Sequence, residues 1–291
     1  MKLSICIPVY NFGVEDLIKT LRSEISTKQI DAEIIIIDDA STKVREQFQE
    51  LEKYCEKLIQ LKKNQGRSKV RNLFIKYANG DYLLILDCDV KVENPNFVEN
   101  YIQFLEENPS VDLIYGGFTI LDDVKNLRNY YSAEREISTN FGKAPFETFK
   151  TANFIIKKEV FKKHPFNENL RQYGYEDYLF AKTLQNSSIN YYFLDNSVVH
   201  QDYSSNKDYL EKIKQSMHSL HLLSSKVETK STLEEMKLLK AVTLLKKYRL
   251  QTLFNFYYSL IEKKIEKNLL SSNPSIRNLD LYKLGTFLKI K

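Results

Sequence analysis

The sequence predicts an α/β protein in which a mostly parallel central sheet, covered by helices on both faces, precedes a helical C-terminal region. Three observations carry this expectation. Short, almost purely apolar runs at Leu3–Val9, Glu33–Ile37 and Tyr82–Leu86 alternate with stretches whose apolar residues recur at helical spacing. Runs without polar alternation are those of strands buried on both faces, as helical crossovers between parallel strands produce. From about Ser205 the strand signals stop and helical periodicity takes over. The expected organisation is a catalytic domain over 1–204 and a helical, basic extension over 205–291.

The elements follow in order. Leu3–Val9 runs into Pro8-Val9-Tyr10-Asn11, and a helix begins near Asn11 or Gly13 with Val14, Leu17, Ile18 and Leu21 on its inner face. Glu33–Ile37 is the second strand. After Asp38-Asp39-Ala40-Ser41, Ser41 or Thr42 is placed to cap a helix with the face Val44, Phe48, Leu51, Cys55 and Leu58. A third strand is expected near Leu58–Leu61. Ser68 would cap the next helix, whose face is Val70, Leu73, Phe74, Tyr77 and Ala78, and Asn79-Gly80 would end it with glycine in the left-handed turn. Tyr82–Leu86 is a strand, Asn94-Pro95 opens a helix with the stripe Phe97, Val98, Tyr101, Ile102 and Leu105, and Asp112–Phe118 reads as one further strand. Tyr209, Ile213, Met217 and Leu220, then Leu238, Val242 and Leu245, mark C-terminal helices. Leu250–Ile261 is dense in Phe, Tyr and Leu and is flanked by Lys and Arg.

Composition bounds the function. With 43% hydrophobic and 28% charged residues the balance is that of an ordinary globular protein. No apolar run approaches the roughly 18 residues that span a bilayer, and no signal-peptide cleavage pattern follows the N-terminus. Three Cys, none in a CxxC, read as small reduced core thiols. A cytoplasmic protein is expected. The net charge of +5 is unevenly spread: residues 205–291 carry 17 Lys and Arg against 8 Asp and Glu, and the rest 26 against 30. An acidic front and a basic tail imply different partners. The tail helices would either lie on an anionic membrane surface, at its cytoplasmic face, or pack on the catalytic domain or a second subunit. No nucleic-acid partner is expected, and the sequence leaves the oligomeric state open.

The polar motifs follow strand ends or open helices, where ligands of parallel sheets bind. Asp87-Cys88-Asp89 follows the buried run Tyr82–Leu86. Residues i and i+2 of extended chain share a side, so two carboxylates would converge and call for a hard divalent cation, Mn²⁺ or Mg²⁺, with room left for phosphate. An Asp pair in this place also makes turns and caps. Asp39 can accept the imide N–H of a pyrimidine base or ribose hydroxyls, and it can equally cap a helix. Arg67 and Arg71, four apart at a helix N-terminus, could face an anion or simply be solvated. Glu176-Asp177 either opens a helix or supplies the carboxylate base that a sugar hydroxyl needs before it attacks. His200 ends an apolar strand and is either structural or a metal ligand.

In order and spacing, Pro8-Val9-Tyr10-Asn11, Asp38-Asp39-Ala40-Ser41, Val70-Arg71-Asn72, Leu86-Asp87-Cys88-Asp89, Gly174-Tyr175-Glu176-Asp177 and His200-Gln201 resemble family 2 glycosyltransferases of the GT-A fold. Within that family the last three motifs look most like the bacterial chondroitin-polymerase and galactosyltransferase C-terminal-motif branch. The resemblance covers residues from Met1 to about Tyr203. It implies a Rossmann-like GT-A domain and metal-dependent, inverting transfer of a sugar from a nucleotide-sugar, with UDP as the expected carrier, to a hydroxyl of a glycan or lipid-linked glycan. It implies that Pro8, Tyr10, Asp39, Arg67, Arg71 and Asp87 bind the nucleotide-sugar. Asp39 would meet the base, and Asp87 would lie near ribose and metal. Asp89 and His200 would ligate Mn²⁺ or Mg²⁺, Asp177 would be the catalytic base, and Glu176 would hold sugar hydroxyls. Tyr175 stands where the branch commonly has Gly and Tyr173 where it has Trp, which bears on sugar identity.

Two other functions share parts of this pattern. A sugar nucleotidyltransferase would carry a Gly-rich basic loop after the first strand, where Pro8-Val9-Tyr10-Asn11 stands. A non-catalytic nucleotide-sugar-binding module would not need Asp89, Asp177 and His200 together.

Overall fold

The unbroken apolar run Leu3–Val9 forms β1, a central strand with a neighbour on each side: β2 (Ala32–Asp38) pairs with it in parallel from Leu3↔Ala32 to Val9↔Asp38, and β4 (Tyr82–Leu86) in parallel from Leu3↔Tyr82. The computed structural model describes all residues except 44–47, 122, 138–140, 143–148, 170–173, 227–228, 230–231 and 291. The chain divides into two compact units. One comprises Met1–Leu121, Glu136–Arg171 and Glu176–Gln201; the other comprises Asp122–Arg135, Gln172–Tyr175 and Asp202–Lys291.

In the first unit, α1 (Glu15–Lys28) follows β1, and α2 (Phe48–Leu51) with β3 (Lys57–Gln60) follows β2. Then come α3 (Arg67–Tyr77), β4, β5 (Val90–Lys91), α4 (Phe97–Glu107), β6 (Leu113–Tyr115) and β7 (Phe118–Ile120). The second unit contributes α5 (Leu127–Arg135), after which the first resumes with β8 (Asn153–Lys157), α6 (Lys158–Lys163), α7 (Glu176–Gln185), β9 (Tyr191–Phe193) and β10 (Val198–His200). The main sheet runs β3-β2-β1-β4-β8-β6-β9, parallel except for β8, which is antiparallel to β4 and β6. A second sheet runs β5-β10-β7. Successive strands β1, β2 and β3 build outward on one side of β1 while β4 lies on the other. The strand order therefore reverses between β1 and β4, the place where such sheets open a crevice for ligands. Core residues cluster on both faces of the sheet: Ile5, Ile7, Ile36, Leu84 and Tyr101 on one, and Cys6, Ile35, Ile37, Phe74, Leu83 and Phe154 on the other.

The structure departs from the sequence-based elements at several points. Asp112–Phe118 is two strands in two sheets, because the chain turns at Gly116-Gly117, where Gly117 has φ 75°. Asn153 secures the turn: its amide donates to the carbonyls of Gly117 and Asn196 at 3.0 and 2.8 Å, and its oxygen accepts from the Tyr101 hydroxyl at 2.7 Å. Helix α3 ends at Ala78 in extended conformation, so Gly80 serves close approach rather than a left-handed turn; a Cβ there would lie 2.6 Å from the Ser4 backbone nitrogen. Ser68 lies inside α3 after the N-cap Gly66 and makes no cap hydrogen bond. The helix expected from Val44 to Leu58 is described only as Phe48–Leu51: Cys55 lies beyond it and Leu58 is in β3, while Val44 falls outside the described residues. The start of that helix, which Ser41 or Thr42 is expected to cap, falls outside the described residues, and Ser41 reaches across to the end of β1. Its hydroxyl accepts the Asn11 N–H at 2.8 Å, and the Asn11 side chain accepts the N–H groups of Thr42 and Lys43. All three cysteines are free, and burial pushes their thiols up, Cys55 to about 11 and Cys88 to about 12, as inert core thiols require.

The second unit also holds α8 (Asn206–Ser224), α9 (Lys237–Lys247), α10 (Gln251–Leu269) and α11 (Ile276–Lys289). Ser205 caps α8 by accepting the Asp208 N–H at 3.1 Å. In α9 the buried stripe is Leu239 and Val242, so Leu238 and Leu245 of the expected face are only half-buried. Among the described residues no helix is long and apolar enough to cross a membrane.

Glu33, in β2, ties three elements together. It accepts from the Ser4 hydroxyl at 2.6 Å, the Asn79 N–H at 2.5 Å and the Asn79 amide at 3.0 Å, and Lys57 lies 3.7 Å away. Burial pushes its pKa up, and these hydrogen bonds with the Lys57 charge more than offset that, leaving it below the ordinary 4.5. The stability it contributes is thus complete above that value and is lost as pH falls through the lowered one. Glu33→Gln is expected to cost about 2 kcal/mol at neutral pH. The gap from the parent should close as pH drops below the ordinary carboxylate range, read from urea midpoints over a pH series; a gap that stays constant would contradict this account.

Candidate active site

The carboxyl ends of β1, β2 and β4 and the first turns of α3 and α7 supply the site, all within the first unit. Pro8 sits in β1 opposite Ile37, and Tyr10, just beyond the strand, is 51% exposed. The Tyr10 backbone N–H lies against the Cys88 sulfur, linking the ends of β1 and β4.

Asp39 is buried. Its Oδ1 accepts the Gln65 N–H at 2.5 Å and its Oδ2 the Gly66 N–H at 2.9 Å, so the carboxylate fixes the loop that enters α3. Burial raises its pKa, and the two N–H groups oppose that. Each oxygen keeps a second lone pair for a further donor.

Asp87 and Asp89 do not share a single partner. Asp87 Oδ1 lies 2.6 Å from Arg71 Nη2, while Asp89 Oδ2 lies 3.4 Å from His200 Nε2. The charge of Asp87 is answered by a guanidinium on α3. Asp89 is matched with an imidazole because β5, which starts one residue later, pairs antiparallel with β10 and sets His200 opposite Val90. The Gln201 N–H donates to the Asp89 carbonyl at 2.8 Å and closes the same turn. Burial pushes the Asp89 carboxyl up, but the hydrogen bond and charge of a protonated His200 outweigh it and hold it below the ordinary carboxylate range. When His200 is neutral, the pair offers an oxygen and a ring nitrogen side by side. Among the described residues no three acidic, His or Cys side chains form a metal cluster. One carboxylate and one imidazole fit a hard divalent cation whose remaining positions are filled by phosphate oxygens and water.

Arg71 is 2% exposed and reaches two carboxylates, Asp87 and, at 4.0 Å from Nη1, Glu176. Its guanidinium also lies 5.4 Å from the Phe166 ring centroid, and the Asn72 side chain holds the Phe166 segment, its amide donating to the Phe166 carbonyl and its oxygen accepting the Phe166 N–H. Arg67 lies 3.7 Å from Glu176. Glu176 is buried, and its Oε2 has no hydrogen-bond partner among the described residues. Asp177 is partly exposed in the first turn of α7; its Oδ1 accepts the Tyr178 N–H at 2.7 Å, and its Oδ2 is 3.9 Å from Lys150 Nζ. Tyr175, just before this helix, has φ 71°, a strained value for a non-glycine residue. Tyr173 falls outside the described residues.

The structure thus joins Arg67, Arg71, Asp87 and Glu176 in one charged chain, Asp89 with His200 in a second contact, and Asp177 with Lys150 in a third. Sequence reasoning missed Lys150 and its second partner Glu136, 3.7 Å away. Neither belongs to a spaced motif, and only the tertiary structure sets Lys150 between Glu136 and Asp177.

This crevice, with its acidic strand ends on a mostly parallel sheet, is that of a GT-A glycosyltransferase. Residues 4–170 match the sequence profile of the family described as Glycosyl transferase family 2, and the chain belongs to that family. It is similar to the poly(ribitol-phosphate) beta-N-acetylglucosaminyltransferase TarP of Staphylococcus aureus, at 29% identity over 72% of this chain and 61% of TarP. The aligned part spans 15% of the length of one curated relative and 67% of another. Among solved structures it is similar to S. aureus TarS 1–349 in complex with UDP-GlcNAc, with a TM-score of 0.56 and 18% identity, covering 97% of this chain and 90% of that one. It is similar too to the mannosyltransferase PcManGT of Pyrobaculum calidifontis in complex with GDP-Man and Mn²⁺, with a TM-score of 0.57 and 14% identity, covering 99% and 84%.

Removing the cation that joins Asp87 to Glu176 leaves two carboxylates facing each other in a buried place. Arg71→Met is expected to lower unfolding stability by about 3–5 kcal/mol. Arg71→Lys should fall between the parent and that variant, because an ammonium cannot reach both acids with a planar fork. Denaturant melts of the three proteins check this, and a cost below about 1 kcal/mol would mean the pairs are not structural.

Proposed function

We propose that this chain is an inverting, metal-dependent glycosyltransferase that moves a sugar, with UDP as its carrier, to a hydroxyl of a glycan or lipid-linked glycan. The observation that carries the reading is the meeting of Asp89 with His200 at the end of β4, beside the Asp87–Arg71–Glu176 chain and within the same unit as Asp177. A TarS complex with UDP-GlcNAc and the N-acetylglucosaminyl activity named for TarP support a UDP-sugar donor, and the Mn²⁺ in the PcManGT complex supports a divalent ion. Free cysteines with raised thiol pKa values support a reducing, cytoplasmic setting.

In this reading Asp39 receives the base through its remaining lone pairs, Tyr10 walls the nucleotide, and Asp87 accepts from ribose while Arg71 holds it in place. Pro8 shapes the end of β1 beneath the nucleotide, and Arg67 attracts the diphosphate. Asp89 and His200 would hold Mn²⁺ or Mg²⁺. Such an ion offsets the charge that builds on a departing nucleoside diphosphate. Asp177 takes the proton of the acceptor hydroxyl, whose oxygen attacks the anomeric carbon from the face opposite the leaving group, and one displacement inverts the centre. Glu176 accepts from a sugar hydroxyl. Holding both substrates in line supplies much of the acceleration.

Asp177→Asn keeps the shape and removes the base. Transfer should fall by roughly a thousandfold or more while UDP affinity changes little, measured by product formation and by calorimetry. Near-normal turnover would remove Asp177 from the role.

Chelation with EDTA should stop transfer, and Mn²⁺ should restore it. Asp89→Asn and His200→Ala should each weaken Mn²⁺ binding in the presence of UDP by roughly tenfold to a hundredfold, followed by the paramagnetic resonance signal of free Mn²⁺. Undiminished transfer in chelator would refute the metal role.

A further inference from the structure

The second unit presents an apolar face that none of the site residues described above belongs to. Helix α10 packs along α11 through Tyr258, Ile265 and Leu269, which are buried. Its opposite side carries a second apolar stripe at helical spacing: Leu253, Phe256, Tyr257 and Leu260 are 64, 64, 54 and 68% exposed. Tyr248 and Leu250, in the turn from α9, extend it. Side chains of this size, exposed together on one face, mark an interaction surface.

Charge indicates the partner. Residues 237–261 contain five cations, Lys237, Lys240, Lys246, Lys247 and Arg249, and no Asp or Glu. Lys246, Lys247 and Arg249 are exposed immediately before the stripe, and Lys263, Lys264 and Lys267 are exposed one to two turns beyond it. A purely cationic cluster thus precedes the apolar wedge, and a net-positive segment, three Lys with Glu262 and Glu266 among them, follows it. A second copy meeting this face across a two-fold axis would set cation against cation. None of the described helices is long and apolar enough to span a bilayer. An exposed apolar stripe bracketed by Lys and Arg on helices too polar to insert is the chemistry of a segment lying in the interface of a bilayer with anionic headgroups.

We propose that the outward face of the α9–α10 hairpin docks on an anionic lipid surface. Leu253, Phe256 and Leu260 enter the boundary of headgroups and acyl chains, and Lys246, Lys247 and Arg249 meet lipid phosphates. This holds whatever sugar the enzyme transfers.

Sedimentation of the full chain with vesicles of phosphatidylcholine, with and without phosphatidylglycerol, tests it. The chain should pellet with the anionic vesicles and much less with the zwitterionic ones, and added salt should release it. The variant Leu253→Ser, Phe256→Ser, Leu260→Ser should lose roughly a hundredfold in partitioning. The variant Lys246→Glu, Lys247→Glu, Arg249→Glu should lose roughly tenfold or more on anionic vesicles alone. Circular dichroism and UDP binding, which depends on the other unit, should match the parent in both variants. A parent that stays in the supernatant with anionic vesicles overturns the proposal. So does pelleting that the serine variant retains. A parent that forms dimers, becomes monomeric on the serine changes and ignores vesicles would assign the face to a second copy instead.

Discussion

A single buried guanidinium organises the acidic half of the site. Arg71 lies on α3 with its charge out of water, and two carboxylates from distant parts of the chain come to it: Asp87 from the end of β4 and Glu176 from the start of α7. An isolated charge in that place would be costly, so strand end and helix start are held where they neutralise it. The Phe166 ring packs on the same group, and Asn72, one residue after Arg71, anchors the Phe166 backbone. The position of the α7 first turn, and with it Asp177, is linked to the same point. An arginine of this kind is as much a part of the fold as of the chemistry.

The second requirement is that one chain build two sheets. At Gly116-Gly117 it leaves the main sheet after β6 and enters the small one as β7, under the control of Asn153 and Tyr101. The small sheet then seats β10 between β7 and β5. This is how His200, more than a hundred residues after Asp89 in the sequence, arrives 3.4 Å from it. The aspartate turn and the histidine strand are thus joined by backbone hydrogen bonds before any ligand is considered.

Much of the fold was legible in the sequence because buried parallel strands leave unbroken apolar runs. The bounds of β1 and β4 follow directly from Leu3–Val9 and Tyr82–Leu86. Where the reading failed, the cause was tertiary. Gly80 looked like a helix stop and is a contact with the Ser4 backbone, and Asp112–Phe118 looked like one strand because its glycines bend toward partners that lie far along the chain. Asn11, at the neighbouring strand end, accepts the Thr42 and Lys43 N–H groups, a partnership that no local spacing announces.

The sequence by itself determined the layered α/β architecture, the acidic motifs at strand ends and helix starts, and the cationic helices at the C-terminus, because periodicity and residue type are local properties. It could not determine who meets whom. That Asp87 is matched by Arg71 rather than sharing a partner with Asp89, that Lys150 reaches both Asp177 and Glu136, and that Leu253, Phe256 and Leu260 turn outward while Tyr258 and Ile265 turn in, were decided by the tertiary structure. Pairing between distant charges and the choice of buried face on a helix apolar on both sides depend on what packs against each element, and that is not encoded within the element's own residues.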